Sequence, residues 1–165
     1  KNNFICPQVL VAGGITRFHS VRNALDKVPE GAVVAVHDGV RPLVTPGLIR
    51  DMFEKAEKVE ALIPVVPCVD TMKVLEQKEE ELVAVPGAVA DRSVLYGAQT
   101  PQIFHSEILK NAYSMAYDTS FTDDASVVEK YGKSLSYVSG ERLNIKITTQ
   151  EDLVLARAIV SIRKY

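Results

Sequence analysis

Two short runs with no polar side, "AVVAV" within residues 32–37 and "ALIPVVP" at 61–67, constrain this chain more than anything else in it. A stretch so short and apolar at every position has no face for water, so each reads as a strand covered on both faces. Between them, Thr45 offers a helix cap and Pro46 a first helical position. Leu48, Ile49, Met52, Phe53, Ala56 and Val59 follow on one helical stripe. Upstream, "QVLVA" at 8–12 reads as a further strand, "GGITR" as a loop, and Ser20 to Lys27 as a helix carrying Val21, Ala24 and Leu25. Strand, helix, strand, helix, strand implies parallel strands joined by right-handed crossovers.

Beyond residue 67 the pattern changes. "TMKVLE" and "LVAVPG" flank the charged "QKEEE", which cannot enter a core, so residues 70–92 are expected to protrude as a β-arm. A two-stranded arm is marginal alone and should pack on something, a second subunit being the natural candidate. "SEILKNAYSMAY" and "TDDASVVEKYG" read as helices, the second closed by Gly132. "SLSYV" and "LNIKI" read as strands, and "TQEDLVLARAIVSI" as a last helix with Thr149 and Asp152 as a capping pair. The expectation is one domain over residues 1–165: α/β, a mostly parallel sheet with helices on both faces, and an inserted arm.

The net charge of -2 and the lack of a basic stripe argue against a nucleic-acid partner. No apolar run reaches membrane-span length, so no membrane partner is expected. Cys6 and Cys68 are far apart and in no metal-like spacing, so a reducing cytoplasm is the expected compartment.

In an open α/β sheet, ligands sit beyond the carboxyl ends of strands. Three such ends carry chemistry. "VAGGITRFHS" places Gly13, Gly14, Arg17 and Ser20 after the first strand; "VAVHDGVRP" places Asp38 and Arg41 after the second; "NIKITT" places Lys146 within the last. Cations with one acid suit a phosphorylated ligand, because Arg grips phosphate through two parallel bonds and Lys adds a point charge. The acid can hold magnesium. Each residue also has an ordinary reading. Gly13-Gly14 can be only a turn, Arg17 a solvated first-turn residue, Asp38 a loop cap, His37 a packed or surface histidine, and Thr122 a helix cap. Lys146 is the hardest to set aside, since it interrupts an apolar strand.

Taken as a series, "GGITRFHSV", "VHDGVRP", "VDTMK", "ADRSVLYGAQTPQIF", "TDDASVVEKYG" and "NIKITTQEDL" resemble, in order, the 2-C-methyl-D-erythritol 4-phosphate cytidylyltransferases of the non-mevalonate isoprenoid pathway. The resemblance implies a Rossmann-like fold and transfer of CMP from CTP to the acceptor with magnesium, releasing pyrophosphate. It places Gly13, Gly14 and Ser20 at the nucleotide and Asp38 at the ribose and metal. Gly39, Arg41, Thr71, Arg92, Thr100, Thr122 and Lys146 fall around the acceptor. Asp38, Lys146 and Arg17 form the implied catalytic set. Thr71 and Arg92 belong to an arm that reaches a neighbouring subunit's site, so a homodimer through 70–92 follows. Ribitol 5-phosphate cytidylyltransferase shares much of the pattern, and an inactive dimerising scaffold is the non-enzymatic alternative. The family's glycine-rich triphosphate loop and the Lys after it are not in this sequence, and are expected upstream of Lys1. Ile15 stands where many relatives carry an acid, and Gly39-Val40 where Ala-Ala is commoner.

Overall fold

The computed structural model describes residues 6–163, which divide into two compact units. One holds the described residues up to Val36 together with Phe53–Leu62 and Gln102–Ser136; the other holds His37–Met52, Ile63–Pro101 and the rest of the chain from Tyr137.

In the first unit, β1 (Val33–Val36) pairs antiparallel with β6 (Gln102–His105), in register from Val33 opposite His105 to Val36 opposite Gln102. β6 pairs antiparallel on its other side with the start of β2 (Ala61–Pro67), so β1 and β2 run the same way with β6 between them. The parallel direction expected for these two runs holds, but they are not neighbours and the sheet is mixed. Helix α1 (Arg17–Leu25) starts earlier than its apolar spacing suggests, because Thr16 caps it by accepting the His19 N–H. The extra turn buries Phe18, which stacks on Tyr113 and Phe121. Helices α3 (Ser106–Tyr113) and α4 (Asp124–Lys130) complete the unit, with Leu109, Ala112, Val127 and Val128 in its core. Gly132, at φ 89°, closes α4 as expected.

In the second unit, the remainder of β2 pairs antiparallel with β5 (Tyr96–Ala98), and Gly140 N–H bonds Val65 O at the end of β7 (Ser136–Ser139), which also pairs with β2. Helix α2 (Pro46–Ala56), begun in this unit, has Thr45 as its cap: the hydroxyl accepts from Leu48 N–H. Helix α5 (Gln150–Ile162) opens with the Thr149–Asp152 capping box read from the sequence. Its Ala156 and Ile159 pack with Leu43 against Ile145 and Ile147. The arm is a hairpin, β3 (Leu75–Lys78) against β4 (Glu81–Ala84), with the charged residues at its tip and Glu79 there at φ 52°.

Two expected strands are not strands. Residues 8–12 join no ladder, and Val9 and Leu10 are exposed, since an extended segment needs a neighbour for its backbone groups. Residues 143–147 join no ladder; their backbone holds Asn144 N–H to Glu141 O at 2.9 Å and Ile147 N–H to Val40 O at 2.8 Å. Cys6 and Cys68 are both free thiols.

Candidate active site

The end of β1 runs into a turn closed by Arg41 N–H on Asp38 O at 2.9 Å. The side chains of that turn meet. Lys146 Nζ lies 3.2 Å from Asp38 Oδ2, and Arg41 Nε lies 3.6 Å from the same oxygen. Ile145 and Ile147 pack against Leu43, Ala156 and Ile159, and Lys146 between them extends to Asp38. The Ile147–Val40 bond then brings that segment alongside the turn. Arg41 is anchored from behind, its Nη1 donating to Asn144 O at 2.8 Å, while its buried Nε makes no hydrogen bond among the described residues. Two cations thus meet on one mostly buried carboxylate.

Thr100 sits against this turn. Its Oγ1 accepts Asp38 N–H at 3.0 Å and lies 3.1 Å from His37 Nδ1. Its carbonyl accepts from Asn144 Nδ2 at 2.9 Å. Gln99, beside it, uses its amide as a strand would use its backbone. Nε2 donates to the carbonyls of Glu141 and Asn144, and Oε1 accepts Glu141 N–H at 3.0 Å. That approach is why residue 140 is Gly: a Cβ there would lie inside contact of Gln99 Oε1 and 3.3 Å from Val65 O. Asp38, Arg41, Lys146 and Thr100 therefore lie together, with Gly39 in the same turn. Asn144, Gln99 and Glu141 hold them, and a sequence reading passes over these three. For Gln99 and Asn144 the available signal was an amide within "AQTPQ" and "NIKIT", which needs partners once buried.

The other expected residues are organised in the first unit. Gly14 N–H bonds Ser20 Oγ at 2.9 Å, Ser20 donates in turn to Thr16 O, and Asn23 Nδ2 holds Ala12 O. The Gly13-Gly14 loop is thus folded back on α1. A Cβ at Gly14 would meet His19, lying 2.8 Å from its carbonyl carbon, so this glycine is required by close approach. Arg17 is paired within the first unit. Its two terminal nitrogens lie on the two oxygens of Asp124, a carboxylate with no exposure. A buried carboxylate needs such a partner, and Tyr113 OH supplies a third bond to it. Burial first, and then the Asp124 charge, push the Tyr113 phenol far above its ordinary range. Thr122 is not the α4 cap. Asp123 is, with Ser126 completing a capping box, and buried Gln102 bridges Asp123 Oδ2 to Ala125 N–H. Thr122 lies exposed just before it.

Thr71 and Arg92 lie at the arm. Thr71 is exposed, and Arg92 donates to Val69 O at 2.9 Å. No group of three or more His, Cys, Asp or Glu able to hold a metal occurs among the described residues. A single carboxylate with two cations already on Oδ2 does not hold a magnesium ion by itself, so a metal here would have to arrive on substrate phosphates, with Asp38 the protein group nearest to touch it.

Residues 4–162 match the family model described as 2-C-methyl-D-erythritol 4-phosphate cytidylyltransferase. The enzymes of that name from Bacteroides thetaiotaomicron and Porphyromonas gingivalis are each 43% identical, over 160 and 163 residues. These alignments take in 97% and 98% of this chain and 70% of each relative. Solved structures of the same enzyme agree: that from Thermus thermophilus matches at TM-score 0.77 and 31% identity over 98% of this chain and 80% of its own. That from Francisella tularensis matches at 0.79 and 31%, over 95% and 74%. With the family model matched over residues 4–162 and these relatives and structures alike over nearly all of it, the chain belongs to the 2-C-methyl-D-erythritol 4-phosphate cytidylyltransferase family.

Proposed function

We propose that the chain transfers CMP from CTP to 2-C-methyl-D-erythritol 4-phosphate, with Arg41 and Lys146 holding the acceptor phosphate. An acceptor phosphate oxygen attacks the α-phosphorus, the bond from that phosphorus to the β-phosphate bridging oxygen breaks, and pyrophosphate leaves. The protein's part is positioning and neutralisation. Asp38 keeps the two cations facing one place before ligand arrives, and its carboxylate is the group that would touch magnesium. Magnesium there would supply neutralisation of phosphate charge. Gly13, Gly14 and Ser20 form the nucleotide loop, which Arg17 supports through Asp124. Gly39, Thr100 and Thr122 belong with the acceptor.

We further propose that the chain acts as one nucleotidyltransferase domain in the cytoplasm, paired as a homodimer through 70–92, with Thr71 and Arg92 serving the partner's site. The hairpin supports this by exposing Leu75 and Leu82, at 45% and 67%, on an element that cannot cover them itself.

The observation that carries the reading is the convergence of Arg41 and Lys146 on one carboxylate oxygen. The test is pyrophosphate release from CTP, magnesium and 2-C-methyl-D-erythritol 4-phosphate, with ribitol 5-phosphate as the competing acceptor. Release with the first and not the second is expected. Preference for ribitol 5-phosphate would overturn the acceptor assignment.

A further inference from the structure

We propose that His37 is a positioning residue of the acceptor site, fixing the Thr100 hydroxyl so that it can only accept a hydrogen bond from a ligand. The proposal rests on placing Asp38, Arg41 and Thr100 at the acceptor, as above.

The His37 ring is exposed, yet both nitrogens are committed. Nε2 lies 3.0 Å from Arg41 O, an atom that can only accept, so Nε2 carries the proton. With that one proton on the ring, Nδ1 acts as an acceptor. The group 3.1 Å from it is Thr100 Oγ1, whose proton must point there. The same oxygen accepts Asp38 N–H at 3.0 Å. A hydroxyl has one proton and two lone pairs. Here the proton and one lone pair are used within the protein, and one lone pair is left.

Two consequences follow. First, His37 holds the Asp38–Arg41 turn at both ends, directly at the Arg41 carbonyl and through Thr100 at the Asp38 amide. Second, Thr100 can meet a hydroxyl of a polyol but cannot donate to a phosphate oxygen. Phosphate is left to Arg41 and Lys146, so the two ends of the acceptor are told apart by chemistry rather than by size. A Thr100 hydroxyl without His37 rotates, becomes a donor, and loses that distinction.

The tautomer is measured first, in ligand-free protein, by long-range nitrogen–proton correlation spectra of the His37 ring. A proton on Nε2 is expected, and a proton on Nδ1 overturns the proposal whatever the acceptor is. Binding is measured next, by calorimetric titration with 2-C-methyl-D-erythritol 4-phosphate. His37→Leu should weaken it roughly tenfold, the scale of one or two lost neutral hydrogen bonds. His37→Asn, whose Oδ1 can accept from Thr100 in place of Nδ1, should recover most of that loss. A ring that only fills space would make Leu the better replacement, so Asn binding no better than Leu overturns the proposal. With Thr100→Val already present, His37→Leu should cost much less; full additivity overturns it too. If the unaltered protein fails to bind this probe, the acceptor reading fails, and the spectra still decide the ring.

Discussion

Asp38 carries both neighbouring cations on one oxygen, so its loss and theirs should read differently in kinetics. Arg41→Ala removes a charged phosphate donor and should raise the acceptor KM by about 10- to 100-fold with a smaller change in kcat. Asp38→Ala leaves the cations present but unheld, and should lower kcat more than it raises that KM. Steady-state kinetics with the acceptor varied checks both, and the opposite split would exchange the two roles. Lys should not replace Arg41, because Nη1 is also spent on Asn144 O, a second fixed bond that an ammonium cannot make in that fork. Asp38, Arg41 and Lys146 were legible from sequence because charge stands out against an apolar strand. Asn144, Gln99 and Gln102 were not, because an uncharged amide beside a motif looks the same whether it is solvated or buried and bonded to the backbone of another segment.

At the scale of elements, the capping signals could be read in advance and the central strand could not. Thr149 and Asp152 form their box as the pattern "TQED" implies, and Thr149→Ala should cost about 1 kcal/mol, seen as a lower thermal midpoint. The Thr148 and Thr149 amides hold the Asp152 carboxyl below its ordinary value. That part of the stability is present above the ordinary carboxylate range and is lost as pH falls through it. β6 escaped notice because it is four residues long and carries Gln102 and His105, with neither the length nor the composition of a central strand. Its place between β1 and β2 depends on residues about 70 positions away in sequence, which no local period records. Residues 8–12 fail in the opposite sense, since their apolar pattern is strand-like but pairing needs a partner edge.

For the whole molecule, Tyr113 ties stability to alkaline pH. Its phenol is raised by burial and by Asp124, so below its ordinary value of 10.0 it is protonated folded or unfolded and contributes no slope. Above that value the unfolded chain ionises and the folded one does not, so stability falls as pH rises. Denaturant midpoints taken on either side of about pH 10 should fall for the unaltered protein and fall less for Tyr113→Phe. Leu82→Asp at the arm should shift sedimentation toward the monomer without unfolding the chain, since Leu82 is 67% exposed and its loss leaves no cavity. A dimer that survives this change would remove the arm from the assembly.

The Gln99 amide, standing in for a missing rung of backbone ladder, makes the second unit sensitive to a change of one atom. Gln99→Glu keeps the shape and volume of the side chain but sets an oxygen against the carbonyls of Glu141 and Asn144, which both need a donor. The penalty should be about 1–3 kcal/mol, and more while the new group stays ionised. An acidic medium should restore part of it by supplying the absent hydrogen, a rescue that no purely steric defect could show.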